Sequence, residues 1–147
     1  MGTICVTGTA SGIGAATKAK LEAQGHRVIG VDLRNAEVCG DLSQPGDRKR
    51  IVDEVNALCG GVLDGLVPCA GVSTPVPNEL IVRVNFYGTL AIVNGLRPAL
   101  EKGTNSAVVM ISSNSTTMTP GLSVDDAMAY LQQDEESVVA RFSSPAA

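Results

Sequence analysis

The chain has few aromatic residues: no tryptophan, two tyrosines and two phenylalanines, 3% of the whole. Its core must be aliphatic, and Ala, Val, Leu and Gly at this level suit helices packed on a buried sheet. It has one histidine, His26, and four cysteines, Cys5, Cys39, Cys59 and Cys69, with no C-x-x-C pair. No carboxylate cluster joins them, so no metal site is expected. The cysteines read as small buried hydrophobes in a reducing compartment. Charged residues make up 18% of the chain and the net charge is −4, which argues against a nucleic-acid partner. No run approaches the roughly 20 apolar residues of a membrane span, so no membrane partner is expected. No signal peptide is visible, since "MGTICVTG" enters a strand directly, and the expected compartment is cytoplasmic.

What is present reads as one domain over 1–147, with 44% apolar residues. "TICVT" and "RVIGVD" are unbroken β-branched runs, the pattern of strands buried on both faces. Between them "GAATKAKLEAQG" reads as a helix with Ile13, Ala16 and Leu21 on one face and Gly25 as its stop. "AEVCGDL" holds a short third strand. Ser43 and Pro45 open a second helix that places Ile51, Val55 and Leu58 on one stripe and ends at Gly60. "DGLVPCAG" is a fourth strand, and a long helix follows from about Asn78 to Lys102, with Pro98 near its end. "SAVVMISS" is the fifth strand. From Ser123, as N-cap with Asp126 at N3, a last acidic helix runs to about residue 141, carrying Met128, Leu131, Val138 and Val139. "RFSSPAA" looks like a loose, cut terminus. Alternating strands and helices predict an α/β fold: a Rossmann-type, doubly wound parallel sheet, truncated after about five strands.

The "TGTASGIG" segment lies between the first strand and the first helix. Gly8, Gly12 and Gly14 let the backbone turn tightly and approach a diphosphate, and the helix N-terminus offers free N–H groups to the anion. An acid, Asp32, follows at the tip of the second strand, where its carboxylate can accept both ribose hydroxyls of NAD and repel a 2′-phosphate. Ser11 and Leu33 offer no cation to such a phosphate, and Arg34 reads as solvated or stacked beside the adenine. The expected cofactor is NAD.

The three-residue gap between Gly8 and Gly12 resembles that of the short-chain dehydrogenase/reductase family. It is unlike the spacings of medium-chain dehydrogenases and of the extended, epimerase-type relatives. Further motifs agree in order. "GDL" resembles the family's adenine-contacting Asp–Leu, here Asp41 and Leu42. "CAG", at Cys69, Ala70 and Gly71, resembles its N-A-G turn with cysteine in place of asparagine. "VNFYGT" carries Asn85 at the helix asparagine, and "VVMISS" resembles the strand that ends in the catalytic serine, here Ser113. In detail, "GHRVIGVDLRNAEVCGDLS", "LDGLVPCAG" and "RPALEKG" look most like the bacterial 3α-hydroxysteroid dehydrogenase/carbonyl reductase branch.

That resemblance implies an oxidoreductase that interconverts a small-molecule alcohol and ketone by hydride transfer. Ser113 and Asn85 are its catalytic candidates. Ser113 would hold the substrate oxygen, a choice over Ser112, Asn114 and Ser115 that rests on the motif match. Asn85 would hold a water-linked proton path or serve only as a helix-kink hydrogen bond. Asp41 would hold the adenine end or serve only as a turn-forming acid. Gly8, Ser11, Gly12, Ile13, Gly14, Asp32, Leu42, Cys69, Ala70 and Gly71 complete the cofactor candidates. The family also needs a tyrosine acid/base with a lysine four residues on. Tyr87 is followed by Ala91 and Tyr130 by Asp134, so neither matches. The chain therefore reads as the N-terminal part of a longer family fold, inactive alone, with Tyr130 a bystander on an inserted acidic helix, 123–141, near the substrate mouth. The alternative is a non-catalytic dinucleotide-binding or sensor protein. The resemblance also implies a homo-oligomer, and an open sheet edge left by truncation favours association.

Overall fold

The computed structural model describes residues 1–143 of the chain. Five parallel strands form one sheet in the order β3-β2-β1-β4-β5. They are β1 (Thr3–Thr7), β2 (Arg27–Asp32), β3 (Val38–Cys39), β4 (Gly65–Pro68) and β5 (Ala107–Val108). β1 and β2 match the two β-branched runs because both strands are flanked on both sides within the sheet. The order reverses between β1 and β4, which opens a crevice beyond the carboxyl ends of the strands.

Helix α1 (Gly12–Ala23) joins β1 to β2, α2 (Pro45–Cys59) joins β3 to β4, and α3 (Asn78–Ile81) opens the long helical stretch toward β5. That stretch continues as a π-helix over Val82–Gly88 and then as α4 (Thr89–Glu101). α2 and α4 pack against each other, and their Ile51, Val55, Ile92 and Leu96 join Cys5, Ile29, Val31 and Leu66 in an aliphatic core. Gly95 permits that approach, since a Cβ there would stand 2.6 Å from Val52 Cγ2. Right-handed crossovers put α1, whose connection runs the opposite way along the sheet, on the other face.

Several expectations fail in informative ways. The α1 face does not exist as drawn: Ile13 is 65% exposed, and Gly14 is the helix's buried residue. On α2, Ile51 and Val55 are buried, but Leu58 is 41% exposed. The stripe instead begins one turn earlier, at the buried Arg48. Gln44, not Ser43, is the N-cap of α2; Ser43 is buried and bonded to Asp41. β5 is two residues long, paired to one neighbour, and Val109, Met110 and Ile111 beyond it are exposed. Of the cysteines, Cys5 is buried but Cys39 is exposed, and all four are free.

The expected last helix is two helices. After the short α5 (Ser115–Met118) come α6 (Val124–Gln132) and α7 (Glu135–Ser143). The capping box at Ser123 and Asp126 forms as expected. The break has a local cause: Gln133 is extended, and Asp134 Oδ1 accepts from Ser137 N at 2.8 Å, capping a new helix. Met128 and Leu131 are exposed, while Ala129, Val138 and Val139 are buried with Val82. Arg141 to Ser143 end α7, and the rest of "RFSSPAA" lies outside the described residues.

All four aromatic residues of the chain meet at this hairpin. Tyr130 stacks on Phe142 at 5.4 Å and meets Phe86 edge-on at 4.6 Å, and Phe86 meets Tyr87 at 5.0 Å. Ion pairs complete the contact: Glu135 with Arg48 and Arg83, and Glu136 with Arg83. The hydrogen bond from Arg48, ahead of the others, holds the Glu135 carboxyl below the usual glutamate range. A carboxylate depressed in the folded state adds stability above its unfolded value, about 4.3, and that stability is lost as pH falls through the depressed value. With no tryptophan, near-ultraviolet dichroism reports the tyrosines and phenylalanines of this cluster. On acidification below about pH 4, that signal is expected to collapse in the unmodified chain. In Glu135→Gln it should start weaker and keep only the part of this pH dependence that Glu136, Asp126 and Asp134 supply; an unchanged acid titration would contradict the assignment.

Candidate functional site

At the end of β1 the chain turns at Gly8, which has φ +75 and donates to Val31 O at 2.7 Å. A Cβ at Gly8 would stand 2.9 Å from Ala70 Cα, so the turn is seated on the segment after β4. Thr7 Oγ1 accepts from Ala70 N at 2.9 Å and fixes that seat. Gly14 lies still closer: a Cβ there would collide with the carbonyl of Gly8. The first turn of α1 therefore rests directly on the strand end. Ser11 is its N-cap in extended geometry and makes no side-chain cap bond. The first-turn N–H groups thus lack a side-chain acceptor. Gly12, at φ +57, faces open space with nothing within 4 Å of its Cβ position. Thr9 Oγ1 is buried in the same loop with no hydrogen-bond partner among the described residues. Uncapped donors and a cradle without side chains fit an anionic diphosphate, while the Thr9 hydroxyl packs against Gly30 of β2.

Asp32 ends β2 beside this loop. Its Oδ2 accepts from Ala10 N at 2.9 Å and its Oδ1 from Leu33 N at 2.6 Å, which aims the carboxylate over the crevice mouth. Leu33 and Arg34 are exposed next to it. Asp41 Oδ1 accepts from Ser43 N at 2.9 Å and Ser43 Oγ at 2.7 Å, and its own N–H donates to Asp47, so Asp41 shapes its turn. Leu42 is buried behind it. Ile13 points outward, exposed. Cys69 is half-buried, and burial pushes its thiol up.

On the other side of the crevice, Asn85 lies in the π-helix. Its side chain pairs twice with one residue: Oδ1 accepts from Val72 N and Nδ2 donates to Val72 O, both at 2.8 Å. Gly71 makes room, since a Cβ there would stand 3.3 Å from Asn85 Oδ1. Asn85 thus ties the π-helix to the turn after β4. Ser113 lies on the exposed segment that follows β5, its Oγ 3.0 Å from Ser115 Oγ. The phosphate loop, Asp32, the Cys69–Gly71 turn and Asn85 are brought together by direct contacts; Ser113 is carried on a separate strand end.

Among the described residues no cation acts on the Tyr130 hydroxyl. Burial first, then Tyr87 and Asp126, push its hydroxyl above the ordinary tyrosine value, the wrong direction for an acid/base group. Sequence reasoning missed Thr7, whose hydroxyl joins β1 to the β4 turn, and the orphaned Thr9. The signal available was two hydroxyls flanking Gly8 at a strand end, where backbone donors need acceptors.

The sequence pattern of the NAD dependent epimerase/dehydratase family matches residues 4–135. The glycine spacing differs from that of epimerase-type relatives, and the curated relatives described below are dehydrogenases and reductases. The 3-alpha-hydroxysteroid dehydrogenase/carbonyl reductase of Comamonas testosteroni is 45% identical over 115 residues, covering 77% of this chain and 44% of that protein. A coniferyl-alcohol dehydrogenase of a Pseudomonas species is 33% identical, covering 75% of this chain and 43% of that protein. The crystal structure of the 3-alpha-hydroxysteroid dehydrogenase from Pseudomonas sp. B-0831, complexed with NADH, superposes with a TM-score of 0.88 at 42% identity, covering 96% of this chain and 61% of that one. The chain spans about half the length of the curated relatives it matches.

The Gly14 contact yields a direct test. Gly14→Ala is expected to destabilise the fold by about 1–3 kcal/mol, because the methyl group meets backbone that cannot move aside. Gly12→Ala should weaken binding of pyrophosphate-containing ligands directly, since its methyl group would stand in the open cradle on left-handed backbone at φ +57. Equal stability of Gly14→Ala and the unmodified chain in urea denaturation would contradict the packing described.

Proposed function

Because the chain belongs to the NAD dependent epimerase/dehydratase family, we propose that its crevice binds NAD as the cofactor-binding part of a short-chain-dehydrogenase-type oxidoreductase acting on a secondary alcohol or ketone. The observation that carries the cofactor reading is Asp32 held beside the uncapped start of α1 by the N–H of Ala10. A hydroxysteroid is the substrate class favoured by the names of two relatives. NAD, when bound, would accept or supply the hydride. The chain's own residues do the holding. The α1 N-terminus and the Gly8–Gly14 loop receive the diphosphate, and Asp32 receives the adenosine ribose. Ala70 and Gly71 leave the groove open, and the Asp41–Leu42 turn faces the adenine. Ser113 would donate to the substrate oxygen and steady charge developing there. Asn85, through its two bonds to Val72, would hold the π-helix and any proton path along it.

Within these 147 residues no tyrosine has a lysine four positions on. The chain by itself is therefore proposed to bind NAD without turning over alcohols, which is also what a non-catalytic dinucleotide-binding protein would do.

Two measurements test the reading. Asp32→Ala combined with Leu33→Arg should shift preference from NAD toward NADP by about 1–3 kcal/mol, the worth of a charge-assisted hydrogen bond. Tighter binding of NADP than NAD by the unmodified chain would refute the role of Asp32. The purified chain should also show no NAD-linked oxidation of alcohols; activity abolished by Tyr130→Phe would overturn the bystander assignment.

A further inference from the structure

Arg48 is 6% exposed, and its guanidinium is gripped on three sides. Nε donates to Leu42 O at 2.6 Å, and Nη2 donates to Arg83 O at 3.0 Å. Nη1 and Nη2 each donate to an oxygen of Glu135 at 2.7 Å. One planar group thus joins α2, the turn after β3, the π-helix and α7. The fixed fork of an arginine allows this; a lysine ammonium could not span the same acceptors. Nor is there slack behind the turn. A Cβ at Gly88 of the π-helix would stand 2.9 Å from Leu42 Cβ and 3.0 Å from Leu42 O. With its side chain buried and its carbonyl held, Leu42 has one backbone orientation. Its own N–H and the neighbouring Asp41 carboxylate are aimed accordingly.

We propose that Glu135, acting through Arg48, is a positioning residue for the adenine end of the dinucleotide. Docking of the α6–α7 hairpin sets the Leu42 peptide, and the Leu42 peptide sets how the Asp41–Leu42 turn meets the ring edge. This rests on the NAD reading above. Glu135 touches no part of the crevice loop itself; it lies 87 positions from Arg48 in the chain. Coupling of this kind is reciprocal, so an adenine nucleotide in the crevice also holds the hairpin in place.

The test compares NAD with nicotinamide hypoxanthine dinucleotide, which lacks the adenine amino group, by calorimetric titration of the 147-residue chain. The unmodified chain should prefer NAD. Glu135→Gln keeps the side-chain shape and removes the charge, and the preference should fall about tenfold. Amide exchange over residues 40–44 should quicken in the same variant. Equal weakening of both dinucleotides would mean a less folded protein and would overturn the proposal. A second variant, Arg48→Met with Glu135→Leu, refills the site with apolar groups and should recover the thermal stability, as buried ion pairs replaced in this way often do. Its preference for NAD should nonetheless stay low, because the bond to Leu42 O is gone; full recovery of the preference would overturn the proposal. The unmodified chain binding neither dinucleotide would overturn the NAD reading and this proposal together. A preference for NAD that Glu135→Gln leaves untouched would overturn this proposal alone.

Discussion

The contact on which the site depends is the one between Gly14 and the carbonyl of Gly8. No side-chain atom fits between them. The helix start is therefore seated on the strand end, and its unpaired N–H groups point into the crevice at the point where the strand order reverses. From there the contacts spread outward in single steps. Gly8 leans on Ala70, Ala70 is held by Thr7, Val72 two residues on is paired by Asn85, and Asn85 lies in the π-helix. The first step is a close backbone approach and the others are hydrogen bonds to backbone groups, so the crevice is shaped before any ligand arrives.

The two ends of the crevice are not equally determined. The end proposed for the phosphates and ribose is bounded by β1 and β2, which pair with each other over five residues, while β1 pairs with β4 over four and β2 with β3 over two. The end that carries Ser113 hangs from β5, which pairs over two residues with β4 alone. Val109, Met110 and Ile111 lead from it to Ser113, all about half exposed. A parallel strand needs covered faces and two neighbours to be well held. The part of the crevice proposed for the cofactor is thus built into the sheet, and the segment carrying Ser113 is attached to it through two residues of β5.

Much of this was legible in the sequence. The strands TICVT and RVIGVD announce themselves because both faces of each are covered, so no polar alternation interrupts them. Gly60 ends α2 in the left-handed conformation, and Ser123 with Asp126 closes a capping box, both local effects written in local residues. What was not legible depends on distant partners. In "DRKR" three basic residues look alike, yet Arg48 alone is buried, because it shares the α2 stripe with Ile51 and Val55 and meets Glu135. The π-helix has no marker in "VRVNFYG", since its register is set by Asn85 reaching Val72 and by Leu42 pressing on Gly88. The break between α6 and α7 had a signal, Asp134 ahead of two glutamates and Ser137, which is an N-cap pattern that the run of acids disguised. Ser113 was placed by motif, and in the fold its Oγ meets Ser115, whose N–H donates to it at 3.2 Å.

The separation of Glu135 from Arg48 bears on the order in which the chain folds. The sheet can assemble from β1, β2 and β4 with connections of ordinary length, and α2 and α4 can close the aliphatic core without the hairpin. The hairpin's Glu135 must then find Arg83 and Arg48, 52 and 87 positions away, on a surface that the core has already presented. The entropy of closing such a loop grows only slowly with its length, but it must be met before the aromatic and ionic contacts reward it. Docking of the hairpin is accordingly a late step, taken onto a finished body. Until it occurs, Arg48 lacks the carboxylate that pairs with both of its terminal nitrogens in the finished fold.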